Sequence, residues 1–537
     1  MNHQMDGAPQ ARGYSDAGAS LERRALRAFL PNSGPPNEDI NPNNATLRQR
    51  SRMLYMAAPI ATGAINTVRT KAVGTGLSLK CAINRKVLGI SPEAAKEWQR
   101  KTEAEFRMWA SRKQNCDALA MNNFDALQQV ALLSWLMSGD VFAVLPREKP
   151  TPLNPYGLRI QLVEADRISN PQDLGVIGAA FTPSGVKVPE GKPGEGNTIY
   201  DGVEVDAKGR VVAYYVASGY TNQTILHDPI KWTRVLAYGE KTGLPNILHV
   251  MDCERPDQYR GVSYLAKVIE PMLQTRRYTE SELWGAIVQS FFTAWIETKT
   301  DPTGMPFNET GSGDVAGIPG ANPETSNLSK SENEYEMGPG TVIHLAPDET
   351  VHFGNPNIPT AGFEKFTDTM AKHMGAALEI PKDVLLKEFN ASYSASRGAL
   401  LEAWEAVKMY RHWFVDDFCQ PVYEVWLTEA VALGRIQAPG FFNDPMIRAA
   451  WCGAHWIGPV QGQLDPLKEA KAAILLADKG IKTYQQITRE MGGGDWEENV
   501  EQLKHENELL EDAGANKVTQ LPNEPGGGGD GGDGDGD

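Results

Sequence analysis

Apolar residues recur at three- and four-residue spacing along much of the chain, which predicts helices. Residues 45–73 predict two helical pieces broken at Pro59, because proline lacks an N–H and clashes with the preceding turn; Gly74 closes the second piece. Ser91-Pro92-Glu93 supplies a cap, a proline at the first helical position and an acid at the positive end of the helix dipole. Trp98, Phe106 and Trp109 then recur at helical spacing and should face a core, and residues 124–138 (FDALQQVALLSWLMS) predict another apolar-striped helix. Before all of these, residues 1–40 read as a polar arm with one short helix near Leu21–Leu30.

After Gly139 the pattern changes. VFAVLP, LRIQLVEADRI, TIYDGVEVD and VVAYYVA are short β-rich runs separated by turns, and Asp206-Ala207-Lys208-Gly209 suits a hairpin between two of them. Residues 140–250 therefore predict a β-rich domain. Helical character returns over Tyr264–Ile296, about 50 Å of helix at 1.5 Å per residue, with Pro271 as a blemish near its start. Residues 301–340 are rich in Gly, Pro, Asn, Ser and Glu and read as a loop or small subdomain. A strand-like TVIHLA follows, and then helices over Phe363–Leu378, Ser396–Leu433 (kinked at Pro421), Pro466–Asp478 and Trp496–Leu510. The end, PGGGGDGGDGDGD, reads as a flexible acidic tail. The fold class expected from this order is α+β and mainly helical.

Composition narrows the function. With 41% apolar and 22% charged residues, the 537-residue chain is globular. Its five cysteines are odd in number, widely spaced and lack a CxxC, which disfavours a disulfide framework and suits a reducing compartment. The N-terminus shows no apolar leader, and the longest apolar stretch, Leu283 to Ile296, is too short to span a bilayer, so no membrane partner is expected. Net charge is −16 but unevenly placed: residues 495–537 hold thirteen acids against Lys504 and Lys517, a net −11, which leaves −5 for the other 494 residues. That body has no concentrated basic clamp for phosphates.

Catalytic motifs are missing. There is no GxxxxGK[ST] phosphate loop, no GxSxG and no HExxH. Gly74-Thr75-Gly76 lacks the third glycine of a dinucleotide turn and reads as a tight turn. His249 with Asp252 and Cys253 is the nearest mixed polar cluster. Cys452 and His455 have no second pair to complete a zinc site. No catalytic residue, metal or cofactor is expected. Trp404, Tyr410, Trp413, Phe414, Phe418, Tyr423 and Trp426 crowd one helical region; base-stacking platforms are one reading, and core or subunit-interface residues the favoured one.

The order of several motifs resembles the lambda-type portal family of tailed bacteriophages. Arg50-Ser51-Arg52-Met53-Leu54-Tyr55 and AAPIATGAINTVRTKAVGTGLSL are similar to that family's arginine-rich segment, alanine-rich helix and V-G-x-G-L turn. SGDVFAVL, LRIQLVEADRISNP and the Gly202–Arg210 hairpin segment follow in order. ILHVMDCERPDQYRGVSYLAKVI matches at Arg255, Gln258, Arg260, Gly261 and Leu265. FNASYSASRGALLEAW resembles "N-Y-S-S-x-R-x-x-L-L-E" with two extra residues. FCQPVYEVWL and WIGPVQGQLDPLKEAKA complete a match that runs from about 45 to 505.

The resemblance implies a homo-oligomeric ring, usually of twelve subunits, at one capsid vertex of the virion, assembled in the host cytoplasm. Such a ring nucleates procapsid assembly, docks the terminase, passes double-stranded DNA in and later out, and holds the head–tail adaptor; major capsid and scaffold proteins are further partners. It implies an N-terminal arm (1–44), a wing (45–262), a stem helix (263–297), a clip (298–345), a returning strand and stem helix (346–380), a tunnel loop (381–397), a long wing helix (398–433), crown helices (434–512) and the acidic tail (513–537). Lys382, Lys387 and Arg397 are the candidates to face DNA in the channel, although for Arg397 a structural role is favoured, because it sits at a helix start within the matched motif. A shorter adaptor ring or a soluble DNA-processing enzyme are the rival readings; length and the missing phosphate loop stand against them.

Overall fold

A computed structural model describes residues 33–172, 185–221, 229–291, 295–298, 349–352, 362–388, 392–462, 466–492 and 494–513, with isolated positions between 24 and 31. The chain divides into two units, residues 1–272 with 371–537, and residues 273–370. The predicted helix near Leu21–Leu30, the TVIHLA strand and nearly all of the proposed clip lie outside the described residues.

Proline opens many of the helices, where its missing N–H costs nothing. In the first unit, α1 (Pro36–Ala57) and α2 (Pro59–Ala72) break at Ala58, as Pro59 dictates. Helix α1 begins nine residues earlier than the apolar pattern suggests. Its buried side is mostly polar, with Asn37, Asn44, Arg48, Ser51 and Leu54, so hydrophobic periodicity did not reveal it. Strand β1 (Ser78–Cys81) and the single turn α3 (Arg85–Leu88) lead to α4 (Pro92–Ala110), which Ser91 caps by accepting the Ala94 N–H at 3.2 Å. A turn, α5 (Lys113–Cys116), precedes α6 (Phe124–Ser138), whose bounds are those the sequence predicts; Asn123 caps it and Gly139 stops it.

The expected β-rich domain holds two antiparallel sheets. One has the order β3-β2-β9, from β2 (Asp140–Val144), β3 (Gln161–Glu164) and β9 (Ile247–Met251). The other is a meander of β4 (Val186–Lys187), β5 (Thr198–Tyr200), β6 (Val203–Val205), β7 (Val211–Ala217) and β8 (Trp232–Leu236), with Asp206–Gly209 turning between β6 and β7. Phe142, Val163, Val203, Val205, Tyr214 and Ile247 form one apolar core shared by the two sheets.

The chain passes into the second unit, and back out of it, along helices. Helix α7 (Ile269–Phe291) is shorter than the predicted Tyr264–Ile296. A single 3-10 turn (Ala266–Val268) comes first, and the helix opens two residues before Pro271, which is a start signal here and not a blemish. Within this unit β10 (Trp295–Thr298) pairs antiparallel with β11 (Glu349–His352), and Tyr278 packs on Phe363 and Phe366 of α8 (Phe363–Ala377).

Back in the first unit, the short α9 (Lys382–Leu386) precedes α10 (Tyr393–Phe414). A π turn over Val415–Cys419 joins α10 to α11 (Gln420–Ala432), where a kink at Pro421 was predicted. The widened turn absorbs the register change one residue pair ahead of the proline. Then come α12 (Pro445–Cys452) and β12 (Ala454–Ile457), which the sequence reading did not anticipate; β12 pairs antiparallel with β1. The C-terminal helices are α13 (Pro466–Asp478), α14 (Tyr484–Met491) and α15 (Trp496–Asp512).

Aromatic side chains bind these parts into one core. Phe106 has ring centroids of Trp109, Phe124, Tyr423, Trp426 and Trp456 within 5.1–6.0 Å. Of the seven crowded aromatics, Phe414, Phe418, Tyr423 and Trp426 are fully buried, while Trp404, Tyr410 and Trp413 are half-buried. The buried four pack as core side chains.

Candidate functional site

The segment proposed to reach the channel starts from a rigid base. Gly375 sits so close to the chain that a Cβ there would lie 2.5 Å from the Ile380 carbonyl oxygen. The Ile380 N–H donates to Gly375 at 3.0 Å, and the Tyr264 hydroxyl donates to the Leu378 carbonyl. Ile380, Val384 and Leu385 are buried, so α9 is anchored through one face. Lys382 opens that helix and is half-buried. Lys387 closes it in the left-handed region (φ 57°) and is exposed. Residues 389–391 lie outside the described residues. Arg397, the fifth residue of α10, places Nη1 3.5 Å from Oε1 of Glu469 on α13. The two lysines thus share one helical turn, and Arg397 belongs to a different element with a carboxylate beside it.

A second constellation was not foreseen as a unit. Asp140, at the start of β2, is wholly buried. Arg260, also wholly buried, donates from Nε to Asp140 Oδ2 at 2.6 Å and from Nη2 to Asp140 Oδ1 at 3.3 Å. Its remaining N–H groups serve the carbonyls of Ala165 (2.8 Å), Ile168 (2.9 Å) and Asp201 (2.5 Å). The Gly261 N–H adds a bond to Asp140 at 3.1 Å. Arg48 of α1 lies 3.8 Å from Asp140 and 3.6 Å from both Asp166 and Asp201, and Arg52 pairs with Asp166. Burial alone would raise the Asp140 carboxyl, but Arg260 and Arg48 hold it well below the usual carboxylate range. Burial also keeps His249 neutral by lowering it, although its Nε2 is 3.5 Å from Asp140; its ring stacks on Phe142 at 4.2 Å.

The backbone around this knot is equally constrained. Gly139 has φ 93°, and a Cβ on Gly261 would lie 1.9 Å from the Gly139 carbonyl oxygen, so two chain segments touch where only glycine fits. Gln258 accepts the Glu254 and Arg255 N–H groups and donates to the Arg260 carbonyl at 2.8 Å. Arg255 reaches Asp39 at 2.7 Å, and the Ser263 hydroxyl meets that of Ser51 at 2.6 Å. The motif residues Arg255, Gln258, Arg260 and Gly261 therefore act as internal struts, and so do the SGD and EADR segments. The one hint in the sequence was Asp140, a charge set directly before the apolar run VFAVL. Such a residue asks for a buried cation.

Elsewhere the polar candidates separate. His249 belongs to the knot, apart from exposed Cys253. Cys452 is buried, and burial pushes its thiol up to about 12. Among the described residues no group of three or more His, Cys, Asp or Glu is placed to hold a metal ion, and no helix is long and apolar enough to cross a membrane.

Comparison with known families settles what this scaffold is. The family model described as phage portal protein, lambda family, matches residues 22–411. The chain belongs to that family. Portal protein B of Escherichia phage lambda is 23% identical over 497 residues, covering 89% of this chain and 86% of that protein. The portal protein of Escherichia phage N15 is 24% identical over 518 residues, covering 94% and 91%. Among solved structures, a chain in the neck of a native gene transfer agent particle covers 88% of this chain and 97% of its own at 12% identity and a TM-score of 0.41, too distant to bear on the placement of parts. As a phage portal protein, the chain is a virion component of the capsid vertex. The matched span contains the whole polar knot and the α9 lysines.

Proposed function

We propose that copies of this portal chain assemble into a ring that encloses a channel for duplex DNA, with twelve subunits as is usual in the family. The ring nucleates the procapsid, docks the terminase during packaging, and holds the adaptor and tail afterwards. Its role is structural and not catalytic. The observation that carries this reading is the family match over residues 22–411, supported by two phage portal relatives whose lengths are covered almost end to end. Exposed large apolar side chains on the isolated subunit, such as Met53 and Met56 on α1 and Val130 on α6, suit a chain that buries more surface on assembly.

In this proposal the wing occupies residues 45–262, the stem is formed by α7 and α8, and α9 with its flanks approaches the channel. Lys382 and Lys387 centre the duplex without gripping it. A body near charge balance suits passage, since each counterion-releasing phosphate contact would add a barrier to sliding. Negative-stain microscopy of the purified chain should show rings. Native mass measurement should give about 706 kDa for twelve chains of 58.8 kDa. A monomer at every salt concentration refutes the reading.

A further inference from the structure

Helices α13, α14 and α15 contain no buried residue, unlike the other helices of eight or more residues in the first unit. The α14–α15 hairpin is nevertheless well made. Thr483 and Gln486 form a capping box, and Asp495 caps α15 through the Glu497 and Glu498 N–H groups. The Tyr484 and Trp496 rings stack at 5.8 Å, and the Gln485 side chain bonds both the Trp496 N–H and Asp495. Local bonds therefore hold the hairpin to itself.

Charge joins it to the wing. Lys96 on α4 places Nζ 2.8 Å from Glu497 and 2.9 Å from Glu501. Arg100, one turn further along α4, pairs with Glu501, and Lys80 on β1 pairs with Glu498. The i, i+4 spacing of Lys96 and Arg100 meets the i, i+4 spacing of Glu497 and Glu501, so two helix faces interlock by charge. Most of these side chains are 39–59% exposed; Lys80 is the exception at 14%. Exposed pairs of this kind are individually weak and are screened by salt.

We propose that the α14–α15 hairpin is an ionic latch, held on the Lys80–Lys96–Arg100 face of the wing by complementary charge and released as a folded piece when that charge is screened. The Lys80–Glu103 pair within the wing supplies an internal reference, because it shares the same lysine but is 14% and 11% exposed, at 3.3 Å. Glu103 also accepts the Cys81 N–H at 2.8 Å, which keeps it beside Lys80 whether or not the hairpin is docked.

Zero-length carbodiimide cross-linking of the full-length protein, read by mass spectrometry, joins lysines to carboxylates in contact. The Lys80–Glu498 link should fall at least about fivefold between 25 and 500 mM salt, as the screening length shortens from about 20 Å to about 4 Å. The Lys80–Glu103 link should change by less than about twofold over that range. Lys96→Glu with Arg100→Glu should abolish the Lys80–Glu498 link already at low salt, and adding Glu497→Lys with Glu501→Lys should restore it. Equal Lys80–Glu498 yields at both salt concentrations overturn the latch. So does a charge-reversed protein that keeps the link, or a fourfold variant that fails to regain it.

Discussion

Replacing Arg260 by methionine tests the polar knot directly. Methionine keeps much of the apolar stem and deletes the guanidinium. Asp140 then loses donors at 2.6 and 3.3 Å and keeps the Gly261 N–H at 3.1 Å, His249 Nε2 at 3.5 Å and the Arg48 charge at 3.8 Å. The carbonyls of Ile168 and Asp201 lose donors at 2.9 and 2.5 Å, and that of Ala165 loses one at 2.8 Å but keeps the Ile168 N–H at 3.2 Å. Stranding one partner of a buried pair costs about 3–5 kcal/mol, and each buried carbonyl left without a donor about 1–3 kcal/mol more. The sum exceeds about 5 kcal/mol, against a total of about 5–15 kcal/mol for a typical domain. Arg260→Met should therefore lower the urea midpoint drastically or prevent recovery of folded protein. The assay is tryptophan fluorescence during urea unfolding at one fixed protein concentration, since an assembling chain gains stability with concentration. Adding Asp140→Leu removes the stranded charge, so the double variant should be at least about 2 kcal/mol more stable than the two single effects sum to. The reasoning fails if Arg260→Met unfolds within about 1 kcal/mol of the parent, or if the two substitutions simply add. The Asp140 carboxyl is depressed in the folded state. Its stabilising contribution is therefore present above the ordinary carboxylate range and is lost only as the pH falls below it.

Three further outcomes are expected. Gly261→Ala forces a Cβ to 1.9 Å from the Gly139 carbonyl oxygen and should cost at least about 3 kcal/mol in the same unfolding assay, although it removes no hydrogen bond. Burial and the neighbouring Asp416 and Asp252 raise the Asp417 carboxyl to about 6, so its charged form destabilises the fold; stability should decline as pH rises from about 4 to 6 and stay lower above. Asp417→Asn should accordingly match the parent below pH 4 and exceed it by about 1–2 kcal/mol above pH 6 in urea midpoints taken across that range. Lys382→Glu with Lys387→Glu should leave ring assembly intact in micrographs and reduce packaged or retained DNA; unchanged packaging removes these lysines from the channel.

How far the fold was legible depended on whether an element's signal was local. Gly139 ends α6, and Ser91-Pro92 starts α4, because caps and glycine or proline stops act within one turn. Residues 36–44 were missed because the side chains they bury, Asn37 and Asn44, are amides that hydrophobic periodicity does not register. Pro271 was misjudged because a proline in the first turn of a helix looks, in sequence, like one inside it. The pairing of β1 with β12 had no local signal: each strand is four residues long. The knot was present in the motifs but not as a knot. Arg48, Asp140, Asp166, Asp201 and Arg260 come from five separate segments, and only the fold brings them together.

The β1–β12 pairing also sets a timetable for synthesis. Its partners, from Cys81 with Ala454 to Ser78 with Ile457, are 373 to 379 residues apart. At about 5–20 residues per second, a ribosome needs roughly 20–75 s to travel between them. Throughout that interval the nascent chain has β1 without its partner strand, and for most of it Phe106 lacks Tyr423, Trp426 and Trp456. A chain halted before Ile457 therefore presents an open strand edge and part of an aromatic core, which invites association before the subunit has closed.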